Sequence, residues 1–450
     1  MKRIFLTLIV CVLGTISMFA QMQFEAGTWS EVKAKAKKEN KLIFVDTYTS
    51  WCGPCKIMVN TIFPLPQVGK FYNENFICCK VDAEKGEGIA LAKEFGVNSF
   101  PTYLFIDGTG TLCYRSGGSM PAEKFIGEGE KALELFKNDK KLADWEKEYK
   151  SKRKDVQFLK LYIAKRFSLA MDNADLFDEC AVACGLDAKV LLDKELLKCT
   201  QQHNAFVNAG GPFFNFLVDN CDQVMGLLGI SKEMFLYNLP FTTIDYSMKR
   251  AAKENNEKMF EQTLAGNAKL MSITGEKGIA SEYRIRCFYY SKTNQEENLN
   301  KYAADYAQTL LAKIPECTKN DSESFTKFVS GLAESNEMFK GKKADEIAMM
   351  LSFSMNNSAA SLSFALRDLS YQISMLTKDH ALKQKALELA LLSYKLFDNF
   401  SNTEAIAEAC YRLGRIDEAR FWINFTTERI PAMAGADIRT RIQERASRIR

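Results

Sequence analysis

The chain has 450 residues, of which 26% are charged, and its formal net charge is +4. A chain of this length exceeds one hydrophobic core, so we expect two or three domains. No block or stripe of basic residues occurs, which argues against nucleic acid as a partner. The two histidines, His203 and His380, are too few for most metal sites or for His-based catalysis.

The first twenty residues have the pattern of a secretory signal peptide. Lys2 and Arg3 precede an apolar run from Ile4 to Ala20, and a small residue stands before the expected cut at Gln21. An uncleaved membrane anchor is the alternative interpretation. No later segment is apolar enough over a sufficient length to span a bilayer, so we expect a soluble chain that is periplasmic or secreted.

Helix and strand signals alternate as far as residue 136. A capping box of Thr28 and Glu31 opens the first helix, and Pro121 suits the first turn of the last one. Between them the pattern predicts strands over 41–47, 76–82, 102–106 and 111–115, and helices from about 53, near 67–74 and over 87–95.

The most informative stretch is Trp51-Cys52-Gly53-Pro54-Cys55, at a predicted strand-to-helix junction. Free N–H groups and the positive dipole end at a helix N-terminus stabilise a thiolate, which is the attacking species in disulfide exchange. Cys52 is therefore predicted to be the exposed nucleophile, and Cys55 the buried thiol that resolves the mixed disulfide.

A zinc site and simple core packing explain this cysteine pair less well than redox chemistry does. A zinc site needs further ligands, and no second Cys-x-x-Cys occurs in the chain. Two core cysteines would not require the rigid Gly53-Pro54 insert, the preceding aromatic residue or the upstream strand. The local pattern therefore favours redox chemistry, with no metal.

Over about residues 24–136 the chain resembles thioredoxin, since the string from Trp51 to Lys56 matches the active-site sequence of that family. Residues 61–68 are also similar to the C-terminal domain of the exported electron carrier DsbD. Position 100 departs from the family, because Phe100 stands where cytoplasmic thioredoxins usually have a smaller aliphatic residue.

The resemblance implies roles for further residues. Asp46 matches a buried carboxylate that exchanges a proton with the resolving thiol, and Lys80 matches the lysine beside it. Pro101 matches a cis-proline that packs against the disulfide, while Phe100 offers backbone hydrogen bonds to a client peptide.

The resemblance also defines a client-binding set, which consists of Trp51, Gly53, Pro54, Phe100 and Pro101. The expected partners are client proteins that contain disulfides, with a membrane electron carrier as the source of electrons. No cofactor beyond the dithiol is expected. Reduction, oxidation and isomerisation of clients all remain open as the net direction.

Ten other cysteines remain after Cys11 is removed with the signal peptide. Their irregular spacing does not suggest a disulfide framework. Cys78 and Cys79 are adjacent in a predicted strand and should face opposite sides of the sheet. Cys180 and Cys184 lie one helical turn apart, where a regulatory disulfide and plain packing are both conceivable.

Residues 137–155 are dense in charge and are predicted to form a linker or an exposed helix, and 156–450 have helical periodicity throughout. Near 361–431 the pattern resembles tetratricopeptide hairpins, with Gly414 between two short helices and Pro431 at the close. The predicted fold class is thus an α/β thioredoxin fold followed by a large all-α domain.

Two functions compete on this evidence. The first is an exported thiol–disulfide oxidoreductase that exchanges disulfides with client proteins. The alternative is a helical-repeat protein-binding scaffold that carries an accessory thioredoxin-like domain. In either case residues 22–140 hold every predicted element of the smaller domain, so we expect that fragment to fold alone.

Overall fold

The computed structural model describes residues 21–138, 140–201, 206–274, 282–317, 319–321, 357–430 and 436–449. The predicted signal peptide, His203 and Pro431 lie outside the described residues. Two compact units divide the chain, the first over Met1–Phe235 and the second over Leu236–Arg450. Within the part of the chain that the structure describes, no helix combines the length and apolar character needed to cross a membrane.

A four-stranded mixed sheet forms the centre of the first unit. Its strands are β1 Leu42–Tyr48, β2 Phe76–Asp82, β3 Thr102–Ile106 and β4 Leu112–Gly117. The spatial order is β2-β1-β3-β4, with β1 parallel to β2 and antiparallel to β3. The sheet confirms the predicted α/β class, and the strand bounds depart from the predicted ones by a residue or two.

Five helices accompany the sheet: α1 Trp29–Glu39, α2 Gly53–Ile57, α3 Pro66–Asn75, α4 Glu87–Glu94 and α5 Ala122–Asn138. The predicted capping box is present, since the Thr28 side chain accepts from the Glu31 N–H and the Glu31 carboxylate accepts from the Thr28 N–H. A π-helical turn, Met58–Ile62, follows α2 directly, and the sequence pattern did not predict it.

The two faces of the sheet carry separate apolar clusters, as strand alternation requires. We call the first the active-site face, where Phe44, Tyr103 and Phe105 pack with Met58 from the π turn and Phe125 from α5. The second is the back face, defined by the buried residues Val32, Ala36, Ile43, Val45, Ile77, Cys79, Leu104, Ile106, Leu112 and Leu169.

The back face is completed from outside residues 22–140. Leu169 is 1% exposed within this cluster, and Met171 packs against it from the same turn. Leu142, the first residue of the next helix, also contacts the cluster. This packing argues against the expectation that residues 22–140 fold alone, because that fragment would leave part of the back face uncovered.

After α5, the described residues as far as 228 form seven helices: α6 Leu142–Lys152, α7 Val156–Ser168, α8 Ala174–Ala183, α9 Ala188–Leu191, α10 Lys194–Lys198, α11 Pro212–Asp219 and α12 Cys221–Leu228. The charge-dense segment predicted as a linker or helix forms α6. Trp145 of α6 contacts the rings of Phe158 and Tyr162, so this helix is packed onto α7.

The described part of the second unit is helical. Its elements are α13 Lys232–Pro240, which spans the division between the units, a π-helical turn Phe241–Asp245, α14 Tyr246–Glu254, α15 Glu257–Thr274, α16 Glu282–Lys292, α17 Glu296–Ala312, α18 Asn357–Leu376, α19 His380–Leu396, α20 Phe400–Arg412, α21 Ile416–Glu428 and α22 Ala436–Ile449. This content confirms the predicted all-α class.

The predicted hairpin near the C-terminus corresponds to α20 and α21. Gly414 has φ +76° in the turn between them, a conformation that favours glycine. Ala419 is fully buried with Ala409 and Ile423 where the two helices pack. A small residue at this position lets the helices approach closely.

Candidate active site

The two motif cysteines form a disulfide at the start of α2. Cys52 is the N-cap residue of this helix, and its Sγ accepts a hydrogen bond from the backbone N–H of Cys55 at 3.1 Å. A donor placed there lowers the pKa of a thiol.

The side-chain exposure differs from the sequence expectation. Cys52 is 3% exposed and Cys55 is 4% exposed, so the predicted contrast between an exposed and a buried sulfur is wrong for the disulfide form. Exposed Gly53 and Pro54 lie between the two sulfurs in sequence, and Trp51 beside them is 40% exposed. The asymmetry between the two cysteines lies in helix position, because only Cys52 occupies the cap.

Asp46 lies in β1 on the active-site face and is 1% exposed. Neither of its carboxylate oxygens has a hydrogen-bond partner. Burial raises the pKa of this carboxyl to about 7, against a weaker opposing effect of the Lys80 charge. A group with that pKa can both accept and release a proton near neutral pH.

Lys80 is the charged neighbour of Asp46, since β1 and β2 pair these two residues in register. Its Nζ lies 3.8 Å from the nearer carboxylate oxygen of Asp46. Three aromatic rings surround the same ammonium group, with centroids at 5.0 Å for Phe24 and 5.5 Å for both Tyr48 and Phe63. These rings stabilise the cation in place.

Trp51, the residue before Cys52, packs against the ring of Phe100. Their ring centroids are 6.0 Å apart and nearly perpendicular, and the Phe100–Pro101 peptide bond is cis, as the resemblance implied. The Trp51 indole N–H donates to a carboxylate oxygen of Glu84 at 3.0 Å. Trp51 is thus fixed from two sides.

A family model described as a thioredoxin-like domain matches residues 29–133. Thioredoxin-1 of Drosophila yakuba is 35% identical over 79 residues, which is 18% of this chain and 69% of that protein. The chain belongs to the thioredoxin-like family.

Two further matches fall in the thioredoxin-like domain. Chloroplastic thioredoxin Y of Oryza sativa subsp. japonica is 32% identical over 117 residues, 26% of this chain and 66% of that protein. The solution structure of a proposed disulphide-isomerase from Bacteroides thetaiotaomicron is 36% identical, with a TM-score of 0.24, and covers 26% of this chain and 95% of that chain.

Coverage of the curated thioredoxins is partial. The chain spans 66%, 44% and 61% of the length of three curated thioredoxins that it matches. The likeness therefore describes the thioredoxin-like domain and leaves the helical region apart.

Several site residues of the thioredoxin-like domain escaped the sequence analysis. Glu84 and the rings of Phe24 and Phe63 carry no motif. Tyr103, which pairs with Asp46 across β1 and β3, has a buried hydroxyl without a hydrogen-bond partner. One signal could have identified Tyr103. Because β3 starts just after Pro101, its register against β1 places Tyr103 opposite Asp46.

Within the described residues, the ten cysteines outside the motif are free thiols. Cys78 faces the active-site face and Cys79 the back face, as the alternation predicted. Burial raises the pKa of Cys79 to about 12, and that of Cys180 to about 11. Cys180 and Cys184 do not form a disulfide with each other. Among the described residues, no cluster of three His, Cys, Asp or Glu side chains could hold a metal ion.

Proposed function

We propose that the protein is an exported thiol–disulfide oxidoreductase that exchanges disulfides with client proteins. The observation that carries this proposal is the Cys52–Cys55 disulfide, with Cys52 at the cap of α2 and its sulfur hydrogen-bonded to a helix N–H. Membership of the thioredoxin-like family supports disulfide exchange in general, and the N-terminal signal pattern supports export.

The reaction starts from the dithiol form. The Cys52 thiolate attacks one sulfur of a client disulfide, so that a mixed disulfide forms and one client thiolate leaves. The Cys55 thiolate then attacks the sulfur of Cys52, and the second client thiolate leaves. Two electrons pass to the client, and the Cys52–Cys55 disulfide is the oxidised product.

Asp46 supports the second step as a proton acceptor. The Cys55 thiol must lose its proton before it can attack, and a carboxyl with a pKa of about 7 accepts one near neutral pH. Lys80, 3.8 Å from Asp46, favours the ionised carboxylate that acts as the base. No bound cofactor takes part in these steps.

Client binding is assigned to the surface beside the disulfide. Exposed Trp51, Gly53 and Pro54 and half-buried Phe100 form the surface on which an extended client segment would lie, and the buried Pro101 is assigned to the same set. A client that is reduced here leaves the protein oxidised. A membrane electron carrier outside the cytoplasm is the proposed source of the returning electrons.

Trapping experiments test the proposal and the two cysteine roles. Cys55→Ser should accumulate mixed disulfides with exported proteins through Cys52, because the resolving thiol is missing. Non-reducing electrophoresis of cell extracts, followed by mass spectrometry of the trapped peptides, measures this. Cys52→Ser is the matched control and should trap far less.

Two results would contradict the proposal. Trapping through Cys55 in the Cys52→Ser variant, at the level seen with Cys55→Ser, would reverse the roles. Purified protein that fails to reduce insulin with dithiothreitol as electron donor would favour the scaffold function instead.

A further inference from the structure

A short N-terminal segment, residues 21–25, lies along the edge strand β2, and we call it the strap. Glu25 pairs with Cys79 of β2 in an isolated parallel bridge, and its N–H donates to the Cys78 carbonyl at 2.8 Å. The family match begins only at residue 29. Neither that match nor the proposed reaction assigns the strap a function.

Further contacts fix the first residues of the strap. The Asn73 side chain on α3 donates to the Gln21 carbonyl and accepts from the Gln23 N–H, both at 2.9 Å. The Met22 N–H donates to the Phe63 carbonyl at 3.0 Å, and the Met22 side chain is buried in the active-site face. The strap is therefore held on both sides of Phe24, the residue at its centre.

Phe24 places its ring against the Lys80 side chain. The ring centroid lies 5.0 Å from the Lys80 Nζ, nearer than the rings of Tyr48 and Phe63, both at 5.5 Å. The Phe24 and Phe63 rings also contact each other, with centroids 5.7 Å apart. Tyr48 belongs to β1 and Phe63 to the buried active-site face, so the strap supplies the ring whose position the sheet does not set.

The charge that this ring contacts is the one that faces Asp46. The titratable groups around the Asp46 carboxyl are Lys80 and Cys79 on β2 and Tyr103 on β3. Burial raises the pKa of Cys79 to about 12 and that of Tyr103 above its ordinary value, so both stay neutral while Asp46 titrates. Glu25 of the strap is paired with Lys35 of α1 at 2.6 Å. Lys80 therefore carries the charge that favours the ionised carboxylate.

The Lys80 side chain needs support to stay there. It is 27% exposed, and the stem of a lysine is flexible, so an unsupported ammonium group would extend into water. An aromatic ring beside the ammonium group attracts it and opposes that movement.

We propose that the strap is part of the proton-transfer site, with Phe24 as a positioning residue that holds the Lys80 ammonium group against Asp46. Holding Lys80 there matters because Asp46 is the proposed proton acceptor, so this role of the strap rests on the proposed function. The position of the strap then sets how strongly Lys80 favours ionised Asp46.

The experiment titrates Asp46 in the oxidised full chain without its predicted signal peptide. Carbon-13 NMR of protein labelled at the aspartate carboxyl carbon gives the pKa, and Asp46→Asn identifies the signal by its loss. Phe24→Leu removes the ring but keeps apolar bulk, and it should raise the pKa of Asp46 by roughly 0.3–0.7 pH unit. Phe24→Tyr keeps a ring and should leave the pKa unchanged.

A double-mutant cycle shows whether Phe24 acts through Lys80. In a Lys80→Met background, Phe24→Leu should leave the pKa of Asp46 unchanged, because the ring has no ammonium group to hold. An equal shift with and without Lys80 would show that the ring acts by covering the carboxyl instead, which would overturn the positioning role.

Asn73→Ala tests the strap without altering Phe24. It removes both side-chain hydrogen bonds to the strap and should raise the pKa of Asp46 by less than Phe24→Leu does. Asn75→Ala is the matched control, since Asn75 ends the same helix and donates to the Phe71 carbonyl. It should leave the pKa unchanged, and thermal denaturation checks that each variant is folded. If Phe24→Leu does not fold, the Asn73→Ala result decides.

The outcome is distinguishable from failure of the proposed function, because the titration uses oxidised protein and no client. An unshifted pKa of Asp46 in both Phe24→Leu and Asn73→Ala overturns the role of the strap, even if Cys55→Ser traps clients. A shifted pKa with no trapping supports the placement of Lys80 by the strap and contradicts the disulfide-exchange proposal alone.

Discussion

Buried carboxylates occur in both units, and their surroundings differ sharply. Asp46 in the first unit has no hydrogen bond to either oxygen and one cation at 3.8 Å. Glu404 and Glu408 in the second unit are equally buried, yet arginines contact them from α20 and α22. A buried carboxylate therefore lacks hydrogen bonds at the first site and is paired with several arginines at the second.

The difference fits the proton-transfer role proposed for Asp46 and a structural role for the two glutamates. An isolated buried carboxylate destabilises the folded protein when it ionises, and its raised pKa suits proton transfer. A buried carboxylate that is fully paired with arginines holds α22 against α20. Removing one partner of such a pair is strongly destabilising, because it leaves a buried charge uncompensated. Burial alone therefore does not distinguish the two kinds of carboxylate, whereas their hydrogen-bond partners do.

The largest effect is expected for Glu408→Gln. Three arginines, Arg412, Arg445 and Arg448, contact this fully buried carboxylate, and the substitution removes the negative charge that compensates them. We expect the second unit to lose about 3–5 kcal/mol of unfolding free energy. Hydrogen exchange of α20 and α22 amides under native conditions measures this without assuming that both units unfold together.

Glu418→Gln is the matched control for that substitution. Glu418 is half-exposed on α21 and, among the described residues, forms an ion pair only with Arg415, so the loss of its charge should change stability by less than about 1 kcal/mol. A Glu408→Gln variant that is as stable as this control would contradict the structural role of the buried pair.

Asp46→Asn should have the opposite effect on stability and make the folded protein more stable at neutral pH. The folded-state pKa is about 7 against an ordinary value of 3.8, so the folded state holds its proton more tightly than the unfolded state. The natural protein therefore loses stability as pH rises from about 4 through 7, by up to about 4 kcal/mol, and the asparagine variant does not. Urea denaturation of the oxidised form at pH 4 and pH 8 measures this.

The same variant separates stability from catalysis. Because asparagine cannot accept the proton of Cys55, resolution of the mixed disulfide should be slower near neutral pH, while the attack by Cys52 is little changed. Rapid-quench analysis of the mixed disulfide resolves the two steps. Wild-type resolution rates between pH 6 and 9 would remove Asp46 from the mechanism.

Lys80→Met should have a smaller effect than the substitutions above. Like deeper burial, it should raise the pKa of Asp46. Without the ammonium group 3.8 Å away, the pKa of Asp46 should rise by roughly one pH unit or more above its present value. The pH at which resolution reaches half its maximum should move upward by the same amount. An unchanged pH profile would show that the Lys80 ammonium group does not affect the pKa of Asp46.

Much of the first domain was predictable from local patterns. The capping box, the strands and the position of α2 follow from residue types whose signals act over a few positions. The π turn after α2 was not, because its buried Met58 is specified by packing under the sheet rather than by periodicity. The separation of the helical region from the α/β region was likewise visible in composition and periodicity.

The site was predictable to the extent that it resembles a known motif. Cys52, Cys55 and Pro101 are recognisable in sequence, and the cis bond before Pro101 followed from the resemblance. Glu84 and the rings around Lys80 were not, since their contacts join residues far apart in the chain. The low exposure of Cys52 was missed because a helix-end position does not determine how neighbouring side chains cover a sulfur.

The contact of Leu169 with the back face of the sheet has a practical consequence for dissecting this protein. A cut near residue 140 would follow the edge of the family match and yet sever packing that the sheet shares with the turn after α7. Activity lost in such a truncation would report an exposed apolar surface and its tendency to aggregate, not a missing client-binding region. Truncations meant to separate reaction from recognition should therefore retain the chain at least through Met171.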